Sequence, residues 1–80
     1  MVPQYLLEIL DDMGVETAGL SLDLVLGNDG VGMDSQEVIE LYGRVRRTLG
    51  VTLPLNSLKR TTRLGEVVEL LDTLLVVKTG

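Results

Sequence analysis

The chain has 80 residues, a net charge of −5, 45% apolar residues, and no Cys, His, Phe or Trp. That length supports one small domain, with a core of Leu, Val, Ile and Met and no room for a deep catalytic pocket. Without Cys or His there are no disulfides, thiolate nucleophiles, imidazole bases or usual zinc ligands, so chemistry must run on hydroxyls, carboxylates or an added group.

The charge is divided unevenly. Residues 1–40 hold nine acids and no base; residues 41–80 hold three acids and all seven bases. An acidic balance argues against nucleic acid as a partner. It leaves two readings of the first half: a surface that meets basic proteins, or a solvated face that maintains solubility. No cationic, apolar leader opens the chain, and no apolar run is long enough to cross a bilayer. A cytoplasmic protein without a membrane partner, acting as a monomer, is expected.

Pro3 suits the first turn of a helix. Tyr5, Leu6, Ile9, Leu10 and Met13 recur at helical spacing, so residues 3–13 form an amphipathic helix that Gly14 ends. Residues 14–34 contain five glycines and form a long loop. Within it Leu20, Leu22, Leu24 and Leu26 alternate with Ser21, Asp23 and Val25. With no partner strand elsewhere, this reads as an extended segment pinned to the core by leucines.

Asp34 starts the clearest helix, with Glu37 completing a capping box and Val38, Leu41, Tyr42, Val45 and Leu49 on one stripe. Arg44, Arg46 and Arg47 suit its C-terminal end, and Gly50 closes it. Leu53-Pro54 is extended. Asn56 or Ser57 then caps a short helical turn through Leu58. Thr61 or Thr62 caps a last helix that buries Leu64, Val67, Val68, Leu71, Leu74 and Leu75 before fraying from Val76 to Gly80. The fold class is all-α: an antiparallel four-helix bundle, three longer helices and one short, with a long first loop, in a single domain over residues 1–80.

Chemistry concentrates at Gly32-Met33-Asp34-Ser35, where a glycine-rich loop delivers a serine to a helix start. The N–H groups there lack helical partners and the dipole is positive, which favours a phosphodiester on Ser35. Asp34 either caps the helix or helps hold a metal ion during modification. Gly30 and Gly32 leave room for a modifying enzyme to approach the backbone. On these four residues alone ordinary capping is the commoner reason for Asp-Ser at a helix start. A serine nucleophile would need a base; Lys59 is the nearest substitute, and nothing orients it. Neither a P-loop nor a dinucleotide fingerprint accompanies the glycines.

The wider pattern resembles the acyl carrier protein family. Val31-Gly32-Met33-Asp34-Ser35 looks like its attachment motif, followed without a gap by Glu37, Ile39, Glu40 and Leu41. Leu49-Gly50-Val51, then Leu53-Pro54, then Thr61-Thr62 and Leu64 through Leu71 fall where that family ends one helix and begins the next. The resemblance covers nearly the whole chain and is loosest in the first loop.

It implies an acyl-carrier-like fold in which Ser35 bears 4′-phosphopantetheine, transferred from coenzyme A by a phosphopantetheinyl transferase with magnesium. It further implies that the arm's thiol holds acyl groups as thioesters while acyl-loading and acyl-processing enzymes do the catalysis. The chain itself is then no enzyme and has no resident metal. Asp34 stands beside the attachment point, and Met33, Gln36, Glu37, Ile39, Glu40, Arg44 and Arg47 are its candidate partner contacts.

Two residues depart from the family pattern. Gln36 stands where Leu is usual after the serine, with Ile39 as a partial substitute. Arg44, Arg46 and Arg47 stand where acids are common. The arginines point to a specialised pathway, polyketide or another secondary product such as an antibiotic, rather than housekeeping fatty acid synthesis; complementing the helix dipole accounts for them equally well. A peptidyl or aminoacyl carrier is the alternative, as is a helical interaction module without covalent cargo.

Overall fold

A computed structural model describes residues 1–79, with side chains through Val77. Three helices lie in it: α1 (Gln4–Asp12), α2 (Ser35–Leu49) and α3 (Leu64–Thr79). Among the described residues there is no strand, and no helix is long and apolar enough to cross a membrane. Val2, Leu6, Leu10, Leu26, Met33, Leu41, Val45, Val67 and Leu71 are among the side chains buried in one aliphatic core. Each helix contributes its apolar stripe, and α1 and α2 pack directly together.

Pro3 caps α1 rather than lying inside it: its carbonyl accepts from Leu6 and Leu7 N–H, both at 3.1 Å. The other end closes in a Schellman motif. Gly14, at φ 82°, donates to Asp11 O at 2.9 Å, and Val15 donates to Leu10 O at 3.0 Å. Val15 and Leu10 are both buried, the apolar contact that accompanies this motif. Gly50, at φ 71°, closes α2 with its N–H on Arg46 O.

The fourth, short helix does not form. Asn56 has φ 65°, in the left-handed region, and Ser57 N–H donates to Pro54 O at 3.1 Å. Residues 54–57 are therefore an isolated turn whose third residue has positive φ, a conformation Asn tolerates and a right-handed helix cannot contain. Neither Asn56 nor Ser57 caps anything helical. The segment is anchored by Tyr42 instead, whose hydroxyl accepts from Leu58 N–H at 2.8 Å and lies 3.3 Å from Leu58 O.

Two further expectations fail for one reason. The first loop is partnered: Val25 forms an antiparallel bridge with Arg63. Around that bridge Leu26 N–H donates to Thr62 O and Gly27 N–H to Arg60 O, at 2.9 and 2.8 Å. The same contact caps α3, because Leu64 N–H donates to Leu24 O at 2.8 Å and Gly65 N–H to Leu22 O at 2.9 Å. Thr61 and Thr62 lie too early to do this, and Thr62 Oγ1 accepts from Lys59 N–H instead. The end of the chain also departs from expectation, since α3 continues through Val76–Thr79; Gly80 lies outside the described residues.

Candidate functional site

The loop is folded back on itself before it reaches α2. Met33 N–H donates to Leu26 O and Gly32 N–H to Gly27 O, both at 2.8 Å. Leu26 and Met33 are fully buried, so this pair of residues plugs the loop into the core. Met33 is therefore no partner contact, contrary to expectation; an unbranched side chain here fills the core beneath the helix start. Gly30 also has an internal reason. A Cβ there would stand 2.2 Å from Val25 O, so the chain's own close approach already requires glycine. Gly32 differs: at φ 90° with open space around it, it supplies a left-handed turn that a side chain would strain.

This arrangement aims Ser35 outward as the first residue of α2, and the residue is exposed. The helix start is held by a complete capping box. Asp34 Oδ1 accepts from Glu37 N–H at 2.8 Å, and Glu37 Oε1 accepts from Asp34 N–H at 3.0 Å. One oxygen of each acid is thus committed to the backbone, and Glu37 is half-buried. The positive end of a 15-residue helix lies under the Ser35 hydroxyl, which favours a phosphodiester there by about 0.3–1 kcal/mol. The neighbouring charges of Asp34 and Glu37 offset part of that.

Of the remaining candidates, Gln36, Ile39 and Glu40 are exposed on α2, with Ile39 at 68%. Glu40 and Arg44 are paired, Arg44 Nη2 lying 2.9 Å from Glu40 Oε2 in an i, i+4 bridge. Arg47 is exposed on the last turn. The Glu40–Arg44 spacing was readable in the sequence as a helical ion pair.

Ser35 also stands on the edge of a groove of about 700 Å³ between α2 and residues 52–60. Val38, Leu53 and Leu58 in its lining are buried, Tyr42 is half-buried, and Ile39 and Leu55 stand exposed. Arg46, Lys59 and Arg60 also line it. Sequence reading missed Leu55, Lys59 and Arg60 as site residues. No local signal marks them, because the groove exists only once the connection after α2 folds along that helix. A chain esterified to Ser35 has this groove to lie in, so the residues present fit a phosphopantetheine arm.

Comparison with known proteins agrees. The family model described as the phosphopantetheine attachment site matches residues 4–71. An acyl carrier protein from Amoebophilus asiaticus is 31% identical over 70 residues, covering 88% of this chain and 86% of that protein. No solved structure matches. A match over most of the length, on an all-helical scaffold, places this chain in the acyl carrier protein family, whose cofactor is covalent 4′-phosphopantetheine.

Proposed function

We propose that Ser35 is the attachment point, and that the chain carries acyl intermediates to the enzymes of a specialised pathway, polyketide or related, without catalysing a reaction itself. The observation that carries this is the placement of Ser35: exposed, at the first position of a capped helix, and opening onto a groove. When bound, the arm supplies a thiol that holds the acyl group as a thioester. The chain's own residues do the rest. The capping box fixes where α2 begins, and hence where the Ser35 hydroxyl meets a phosphopantetheinyl transferase. Leu26 and Met33 keep the preceding loop from moving that hydroxyl. Tethering then raises the effective concentration of cargo at each partner enzyme.

Exposed Gln36 and Ile39 on α2 are suited to partner contact. Pairing with Glu40 compensates Arg44, whereas Arg46 and Arg47 are exposed on the last turns. A basic end on α2 suits partners with a less basic face than those that read an acidic helix, which supports a specialised pathway over housekeeping synthesis. Aminoacyl or peptidyl cargo is the runner-up, since both use the same attachment.

Incubation with coenzyme A, magnesium and a broad-specificity phosphopantetheinyl transferase is expected to add one phosphopantetheine mass to the intact protein, and none to Ser35→Ala. No adduct with any of several transferases would overturn the reading. Unchanged pathway function in Ser35→Ala would instead favour an interaction module without cargo.

A further inference from the structure

We propose that Gly43 is a specificity-determining residue: a bare stretch of α2 backbone that seats one large apolar side chain from an acidic surface of a partner enzyme. This rests on the reading of the chain as a carrier that partner enzymes visit, and it names the chemistry of the surface they bring.

Every other glycine among the described residues has a reason inside the molecule. Gly14, Gly19, Gly32 and Gly50 have positive φ. A Cβ at Gly27, Gly30 or Gly65 would stand 3.0, 2.2 or 3.2 Å from the carbonyl oxygen of Arg60, Val25 or Leu22 respectively. Gly43 has neither reason. It lies inside α2 with ordinary helical backbone, and an added Cβ would have nothing within 4 Å beyond its own stretch of helix. Glycine in a helix interior is destabilising relative to alanine, so the fold alone favours a side chain at this position. The missing side chain stands where α2 lines the groove, one turn beyond Ile39 and two beyond Ser35, and the position is exposed.

What surrounds Gly43 describes the visitor. Ile39, 68% exposed, lies one turn before it on α2, and Leu55, 89% exposed, stands on the facing wall of the groove. Leu55 is not on a loose end. It lies within the turn closed by Ser57 N–H on Pro54 O, and the Tyr42 hydroxyl holds Leu58 just beyond. Two exposed aliphatic side chains beside bare backbone give a large apolar side chain contacts on two sides and room beneath it, the form of pocket that anchors interfaces. The charges are one-sided. Lys59 and Arg60 stand exposed on the wall that carries Leu55, and no carboxylate lines the groove. Glu40, the acid nearest to Gly43 in sequence, is paired with Arg44. The anchor therefore comes from a surface that carries carboxylates around it. A flexible arm on Ser35 does not call for this glycine, because it can pass to either side of a methyl group. A partner enzyme that places its own reaction centre at Ser35 meets α2 at a fixed offset and cannot.

The test uses unmodified, isotope-labelled protein and three stapled helical peptides: a glutamate-rich helix with one central tryptophan, the same helix with alanine at the centre, and the tryptophan helix with lysine for every glutamate. Binding is read from backbone amide shifts in an NMR titration. The first peptide is expected to give saturating shifts at Ile39, Gly43 and Leu55, and the other two to bind about tenfold more weakly. Gly43→Leu should weaken the first peptide about tenfold while melting no lower than the parent, because leucine is the better helix former. Gly43→Ala should give a smaller loss, and it carries the comparison should the leucine variant fail to fold. Full affinity in both Gly43 variants would overturn the proposal, as would equal binding of the tryptophan and alanine helices. Preference for the lysine helix, or no saturable response to any of the three, would overturn it as well. A second titration uses protein with an amide-linked hexanoyl arm on Ser35. A Gly43 amide moved by that arm alone, and no longer by the first peptide, would overturn the proposal by giving the space to cargo. Because the peptides meet unmodified protein, their failure leaves attachment at Ser35 standing, and a missing adduct at Ser35 leaves their result standing.

Discussion

The starts of α2 and α3 solve one problem in opposite ways. Both must satisfy backbone N–H groups that have no helical partner. At α2 the partners are three residues apart: Asp34 and Glu37 bond each other's backbone. At α3 they are about forty residues away, since Leu64 and Gly65 donate to the carbonyls of Leu24 and Leu22. The nearby contributions there come from Arg63, whose carbonyl accepts from Glu66 N–H at 3.0 Å and whose N–H donates to Glu66 Oε1 at 3.1 Å in half a capping box. The functional helix therefore carries the capping hydrogen bonds of its own start within four residues. The last helix depends on the first loop, and the first loop is held by α3 in return.

The strongest way to break this contrast is to loosen the loop. Leu26 is fully buried, and its N–H and carbonyl bind Thr62 and Met33 respectively. Leu26→Ala is expected to cost about 3 kcal/mol in urea unfolding, through lost burial and a cavity. Hydrogen exchange at the Leu64 and Gly65 amides should accelerate more than at Glu37. Equal acceleration at both helix starts would show that α2 depends on the loop as much as α3 does.

A smaller effect tests the local cap. Asp34→Ala removes one acceptor and is expected to cost about 1 kcal/mol. Exchange should quicken at Glu37 and stay unchanged at Leu64. The modification of Ser35 should slow without being abolished, because the hydroxyl remains while its helix start frays; this is read as the initial rate of mass gain with a transferase.

The smallest effect sharpens the comparison from another side. Tyr5 on α1 donates to Asp72 Oδ1 on α3 at 3.1 Å, a long-range tie to α3 away from its start. Partial burial, then the hydrogen bond and charge of Asp72, push the Tyr5 phenol up to about 12 from an ordinary 10. A pKa raised on folding contributes stability that is present in full below pH 10 and lost as pH rises towards 12. Tyr5→Phe should therefore flatten the decline in stability between pH 10 and 12, leaving exchange at Leu64 and Gly65 unchanged at neutral pH.

Whatever depends on neighbours within about one helical turn was legible before folding. The capping box at Asp34 and Glu37, the glycine stops at Gly14 and Gly50, the stripe through Val38, Leu41 and Val45, and the buried face of α3 all follow from spacing and local backbone chemistry. So does the position of Ser35 at a helix start, the centre of the candidate site.

Tertiary structure alone decided the rest. Nothing in the sequence tells Leu24 that its carbonyl will meet Leu64, tells Met33 that it will be buried beneath a helix start, or brings Lys59 and Arg60 to the groove that Arg46 also lines. Nor does local spacing separate a short helix at 54–58 from a turn with Asn56 left-handed. The physical reason is common to all of these. A helix start, stop or stripe is fixed by interactions a few residues apart, while a loop's hydrogen-bond partners and a groove's lining are fixed by which distant segments the shared aliphatic core brings together.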